Sequence, residues 1–421
     1  MSEHSPQQAS GGALLVLPTL ESRLDPHRLH EVHYDCSYRA LAKAGRKVTV
    51  ADPRNAVEFR SLVSSDDYAF VITERSQAPF WPLPAEGTPE YARAIGKIFI
   101  TFAGNPPFYE GSFGFHQAAF ERKIAIVHDH DSLPYAEAIN VSGARLLPGR
   151  PMYHDFDLGD EATWLRASRR RIPILFVGSY TDPETFRAAW RHGFRQFPMP
   201  LESIEAAAEL LASNPRLPVW RAMEQTIETL GIQFDLRSRA GRTALELLSR
   251  FANHRARQAV LDRVSRYPSR IIATEFPPLR SRHPDCVLAP VASFPNFLNT
   301  LKETACLVTT NPNGMTGSVS ERVPNAMRRG AVVLHSPNNN LERLENAGVV
   351  VLDNSLDELD ERLEAAAARD TKLDELSEAA RAYAERHFRM DEMYDELLDA
   401  AAGPRDWFDR DDGTQAGTGW Q

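Results

Sequence analysis

The chain has 421 residues, of which 43% are hydrophobic and 25% charged. It is too long for one ordinary domain and rich enough in apolar residues to bury two cores without covalent staples. A formal net charge of −9 argues against nucleic acid as a partner, because binding many phosphates needs a compensating basic surface; one local basic pocket for a single nucleotide stays compatible with it. Cys36, Cys286 and Cys306 stand far apart and follow no metal-ligand spacing, so they are expected as buried thiols of a reducing compartment.

Residues 1–12 are polar and rich in Gly and Ser, which predicts a disordered lead and not a signal peptide. The apolar run Ala13 to Leu17 suits a buried strand and is far too short to span a bilayer, so the expected location is cytoplasmic. Asp25-Pro26 reads as an N-cap followed by a proline in the first helical turn, opening a helix that Gly45 closes. Lys47 to Val50, Phe70 to Ile72, Ile98 to Phe102 and Ile124 to Val127 follow as strands. Their helix-length separations predict right-handed crossovers and a parallel sheet, a Rossmann-like domain over 13–165.

A second unit of the same class is expected over 172–402. It opens with the strand Ile172 to Val177, ending in Gly178-Ser179. From Leu201 to Arg266 the apolar spacing is helical, through Leu201, Ile204, Ala208, Leu211 and then Leu245, Leu248, Ala252, Ala256, which predicts a helical insertion over about 201–266. Strands resume at Ile271 to Ala273, Cys306 to Thr310, Ala331 to Leu334 and Val349 to Leu352. Two helices then reach about Ala402, and 403–421 reads as a disordered tail. Two such halves enclose a cleft, and open α/β sheets bind ligands beyond the carboxyl ends of their strands.

The stretch from Cys306 to Leu334 carries the most chemistry: a strand, a small-residue loop, a helix, a glycine stop and another strand. Pro324 limits where the helix begins, making Ser318 or Ser320 the expected N-cap. Gly314, Gly317 and the serines let backbone N–H groups approach a ligand, and Arg322 stands at the helix start, a combination suited to a diphosphate. The same stretch resembles the donor-binding motif of group 1 glycosyltransferases, and more particularly the CgeB-type spore-maturation branch. The matching residues are Ser320-Glu321-Arg322, Ala326 to Gly330 and Ala331 to Leu334, with Val349 to Leu352, Leu356 to Leu359 and the helix of Tyr383, His387 and Phe388 further on.

The resemblance implies a GT-B fold, with two Rossmann-like domains facing a cleft, and a nucleoside-diphosphate sugar as donor. It implies donor-binding roles for Asn311, Asn313, Gly317, Ser318, Ser320, Glu321, Arg322 and Asn325, and for Gly178 and Ser179 in the first loop of the second domain. One departure concerns the helix itself. Asn325 stands where many relatives place a ribose-binding glutamate, and Gly317 where the first glutamate of the paired signature would fall.

On the acceptor side, Glu110 and His116 follow a strand and are candidate bases for an acceptor hydroxyl. His128-Asp129-His130-Asp131 also follows a strand and resembles an Asp-containing segment of the CgeB-type proteins, which makes Asp131 and His130 further candidates. Strand alternation would point the two histidines one way and the two aspartates the other. No metal and no cofactor are expected beyond the donor. The expected activity is metal-independent transfer of a sugar to a hydroxyl-bearing acceptor, a glycan, protein or small molecule. Alternatives on the same fold are a non-catalytic nucleotide-sugar or glycan binder and a nucleotide-sugar epimerase.

Overall fold

The computed structural model describes residues 11–17, 28–73, 81–103, 105–109, 118–140, 143–161, 164–193, 201–311, 315–339, 344, 347, 349–351 and 356–403. The expected start of the first helix at Asp25-Pro26, the loop residues Glu110, His116, Asn313 and Gly314, most of the lead and nearly all of the tail lie outside these residues.

The described residues form two six-stranded sheets, each parallel throughout. The first contains β1 (Gly12–Val16), β2 (Val48–Ala51), β3 (Tyr68–Thr73), β4 (Ile98–Ala103), β5 (Arg122–Val127) and β6 (Arg145–Pro148), in the order β2-β1-β3-β4-β5-β6. The second contains β7 (Ile172–Val177), β8 (Ser269–Ala273), β9 (Cys286–Pro290), β10 (Thr304–Thr309), β11 (Val332–His335) and β12 (Val349–Val351), in the order β12-β11-β10-β7-β8-β9. In the first sheet the winding reverses between β1 and β3, and in the second between β7 and β10. Such reversals open a crevice at the carboxyl ends of the two strands. Two strands were not expected: β6, a four-residue segment, and β9, whose partly exposed edge pattern carries little apolar signal.

Helix starts follow local chemistry. Asn55 accepts from the Glu58 N–H to cap α2 (Ala56–Val63), and Thr88 caps α3 (Pro89–Ile95) with Pro89 in its first turn. Gly45, at φ +75°, ends α1 (Leu29–Lys43), a backbone state that only glycine enters without strain. All three cysteines are buried and unbridged.

The helical insertion does more than cover its own sheet. α5 (Pro183–Gly193), α6 (Leu201–Ser213), α7 (Val219–Thr229) and α8 (Arg239–Val264) bury Trp190, Ile204, Trp220, Met223, Leu245, Leu248 and Phe251. These side chains are continuous with Leu14, Val71, Phe99, Phe108 and Tyr135 of the first domain. The insertion therefore bridges both halves. Hydrogen bonds across the join include Tyr135 Oη to the Leu236 carbonyl at 2.7 Å and Tyr109 Oη with Ser249 Oγ at 3.2 Å. The last helix, α13 (Met390–Ala402), crosses back onto α1, where Tyr394 Oη donates to Ser37 Oγ at 2.9 Å and Arg46 pairs with Asp399 at 3.2 Å.

Trp190 is fully buried in the bridge, with its ring centroid 4.9 Å from that of Phe251. Trp190→Ala is expected to cost about 3–5 kcal/mol, the range for emptying a large aromatic site. Urea denaturation of the full chain measures this.

Candidate functional site

The crevice of the second sheet brings together two arginines from distant parts of the chain. Arg322, the first residue of α10 (Arg322–Arg328), donates from Nη1 to the Val177 carbonyl at 2.6 Å, at the carboxyl end of β7. Gly178 makes that approach possible, since a Cβ there would stand 3.2 Å from Arg322 Nη1. Arg257, on α8, reaches the same edge from the other side. It donates to the Ser179 carbonyl, to Ser179 Oγ at 3.2 Å and to Thr310 Oγ1 at 3.4 Å, so it spans the ends of β7 and β10. Arg257 is only 2% exposed. Burial, and then the charge of Arg322, lower its pKa to about 9. Both guanidinium groups lie at the switch point of the sheet, an arrangement that favours an anion.

Arg257 had not been singled out in the sequence. It sits inside a 26-residue helix with many charged neighbours, where an arginine reads as part of a solvated face. The usable signal would have been its place on the α8 face that carries Leu261 and Val264, both fully buried.

The loop before α10 departs from the expected capping. The helix starts at Arg322 with Glu321 in the N-cap position, and no side chain caps it. Neither Ser318 nor Ser320 fills that role. Ser318 is buried, and its carbonyl accepts from Asn338 Nδ2 at 2.7 Å. Asn311 is built into the same loop network, donating from Nδ2 to the Pro337 carbonyl at 2.7 Å and accepting from Asn338 at 2.8 Å. Glu321 is exposed. Asn325 is fully buried, and its carboxamide is engaged inside the protein. Its oxygen accepts from the His154 N–H at 2.8 Å and from Arg329 Nη1 at 3.2 Å. Its nitrogen donates to the Glu321 carbonyl at 2.7 Å and lies 3.0 Å from His154 Nδ1. These bonds use the full capacity of the amide. Asn325 thus ties the two domains together.

Across the cleft, the segment after β5 docks onto this loop. The Gly317 N–H donates to Asp129 Oδ1 at 2.8 Å, while Ser132 Oγ donates to Asp129 Oδ2. Asp131 Oδ2 accepts from Thr316 Oγ1 at 2.7 Å and from Asn339 Nδ2 at 2.6 Å. The Asp131 carbonyl accepts from Trp220 Nε1 at 3.0 Å. Gly317 is required by contact, because a Cβ there would lie 2.5 Å from the Asp131 nitrogen.

Alternation along an extended strand does not describe this segment, because residues 130–132 form a 3-10 turn. His128 stacks on Phe102, and His130 Nε2 donates to the Gly149 carbonyl at 2.9 Å. Both aspartates instead meet the second domain. Among the described residues no group of three His, Cys, Asp or Glu side chains is placed to hold a metal ion. No helix among them is long and apolar enough to cross a membrane.

Burial raises the Asp129 pKa to about 7, with its hydrogen bonds to Ser132 and Gly317 opposing the shift. Between about pH 4 and 7 the folded chain therefore binds a proton that the unfolded chain has released. The stabilisation from this group is complete below pH 4 and is lost as pH rises through 7. Asp129→Asn keeps an acceptor for Gly317 and cannot ionise. Its melting temperature relative to wild type is expected to rise from pH 4.5 to about 7 and to level off above that, and thermal unfolding at several pH values reads the difference. Gly317→Ala is expected to destabilise the interface at every pH by the same assay.

No family model matches the chain, and no curated protein matches it. Solved structures resemble it in fold. An alpha-glucosyltransferase in complex with UDP and a 13-mer DNA containing an HMU base aligns with a TM-score of 0.51 at 11% identity, covering 94% of this chain and 100% of that one. An alpha-glucosyltransferase in complex with UDP aligns at 0.50 and 12%, covering 93% and 99%. A sucrose-phosphate synthase from Thermosynechococcus elongatus aligns at 0.45 and 13%, covering 93% and 100%. With two parallel α/β sheets and the two alpha-glucosyltransferase structures aligned along nearly its whole length, the chain has the GT-B fold.

Proposed function

We propose that the chain is a glycosyltransferase that moves a sugar from a nucleoside-diphosphate donor to a hydroxyl-bearing acceptor without a metal ion. The observation that carries this reading is the convergence of Arg257 and Arg322 at the β7/β10 switch point. A leaving diphosphate gathers negative charge as the glycosidic bond breaks, and fixed cations in a dry cleft stabilise that charge most. Arg322 and Arg257 supply it from two helices, with Gly178 and Ser179 forming the floor. This is the role a divalent ion fills elsewhere.

The resemblance of Ser320 to Leu334 to group 1 glycosyltransferases, and to their CgeB-type branch, supports the same donor class. So do neighbours of the same fold that were solved with UDP. A net charge of −9 favours an acceptor that is not a polyanion.

On the acceptor side we assign the base to Asp131. It lies where the two domains meet, and its carboxylate faces the loop that precedes Arg322. His130, with Nε2 held by the Gly149 carbonyl, orients this turn. Glu110 and His116 remain the alternative bases that the sequence offers. Asn325, saturated within the protein, serves the domain interface in this scheme, so the ribose is held by other groups. That saturation also favours the rival reading of a nucleotide-sugar binder without turnover.

Thermal shift against UDP, GDP, dTDP and their sugars tests the proposal. One nucleotide family is expected to stabilise the chain by mass action. Arg322→Ala and Arg257→Ala should each weaken that ligand at least about tenfold, the loss expected for one charge-assisted hydrogen bond. Stabilisation together with release of free nucleoside diphosphate from the sugar donor in the presence of an acceptor supports transfer. Binding with no release under any acceptor supports the binder. No stabilisation by any nucleotide would remove the donor site.

A further inference from the structure

Three buried polar atoms at the carboxyl edge of the second sheet have no hydrogen-bond partner: Thr309 Oγ1, Ser320 Oγ and His335 Nε2. Their residues are 1%, 4% and 0% exposed. Thr309 and His335 are register partners at the ends of β10 and β11, so their side chains share one face of the sheet. It is the face on which Leu307 and Val333 pack against Val323 and Met327 of α10. Ser320 stands two residues before Arg322, which opens that helix. The charge of Arg322 is felt at His335, whose pKa burial and then Arg322 lower to about 4 against a raising hydrogen bond to Ser336.

The hydrogen bond of His335 fixes what its free nitrogen can do. Nδ1 lies 2.7 Å from the Ser336 carbonyl, and a carbonyl only accepts, so Nδ1 carries the proton. Nε2 is then a bare acceptor in a neutral ring. A phosphate oxygen has no proton to offer it. A hydroxyl group can donate to Nε2 while accepting from Thr309 or Ser320. A hydroxyl, which donates and accepts through a single atom, is the group that fits this set.

We propose that Thr309, Ser320 and His335 form a hydroxyl-recognition subsite for the saccharide part of a nucleotide-sugar ligand, with His335 as the specificity-determining acceptor. The inference rests on the donor-site reading above and extends it to Thr309 and His335, which that reading does not use. The three atoms are closed off from solvent, so a ligand reaches them when the neighbouring loops shift. Those loops, 315–320 and 336–339, are both tied to Asp131, through Thr316 and Asn339. Saccharide recognition is thereby coupled to the contact between the domains. The hydroxyl belongs to the transferred sugar or to the ribose, and the two sources separate by experiment.

The test is calorimetric titration of the full chain with UDP, UDP-glucose, GDP and GDP-mannose, and with the 2′-deoxy form of the nucleoside diphosphate that binds. The variants are His335→Phe, His335→Gln and Thr309→Val. His335→Phe should bind the nucleotide sugar about tenfold more weakly. His335→Gln, which restores an acceptor, should recover most of that loss. If the sugar is read, the plain nucleoside diphosphate binds every variant as it binds wild type. If the ribose is read, the nucleoside diphosphate loses affinity in His335→Phe and its 2′-deoxy form does not. Wild-type affinities in folded His335→Phe and Thr309→Val would mean the atoms hold only water, and would overturn the subsite. So would a loss in His335→Phe that Gln does not repair. A wild-type chain that binds none of these four, nor dTDP or dTDP-glucose, would instead overturn the donor site itself, and the subsite with it.

Discussion

Two like charges, one buried and one half-buried, converge at a single sheet edge and set the terms for the second domain. Arg257 comes from a helix that crosses to the first domain, and Arg322 from the short helix that follows β10. Neither position is cheap. Arg257 is almost completely buried, and its pKa falls to about 9 under burial and the charge of Arg322. The Ser179 carbonyl and the hydroxyls of Ser179 and Thr310 hold Arg257, while Arg322 is held by the Val177 carbonyl with the Glu321 carboxylate 4.0 Å from its Nε.

The parallel sheet explains why these groups meet there. With β8 and β9 wound to one side of β7 and β10 to β12 to the other, the helices and loops that leave β7 and β10 part and open a crevice. The insertion after β7 folds over that crevice and buries its apolar face against the first domain. The site is thus roofed by the same helices that fix the angle between the domains. On the opposite wall Asp129 and Asp131 accept from the loop before α10. A shift of this loop therefore changes the contact between the domains.

Much of the architecture was legible in the sequence because strands buried on both faces read as unbroken apolar runs. Ala13 to Leu17, Ile98 to Phe102 and Ile172 to Val177 are such runs, and each falls on an observed strand. β9 was not, because its exposed edge residues break the run. The insertion was legible as helix, but periodicity shows which face is apolar and not what covers it. Its docking onto the first domain therefore emerged only in the structure. In the candidate site, Arg322 stood out beside a small-residue loop. Arg257 did not, because its function depends on a helix reaching across two strands about 50 residues of chain away from Thr310 in one case and 80 from Ser179 in the other. Asn325 shows the converse. Its position in a motif suggested a ligand contact, while its buried amide is occupied by His154 and Arg329.

The central claim is that a nucleoside diphosphate binds between Arg257 and Arg322. A crystal structure of the chain grown with the stabilising nucleotide tests it most directly. The account predicts diphosphate oxygens within hydrogen-bond distance of both guanidinium groups, beyond the ends of β7 and β10. A nucleotide bound elsewhere, with Arg257 still spanning Ser179 and Thr310 and Arg322 still on Val177, would contradict it.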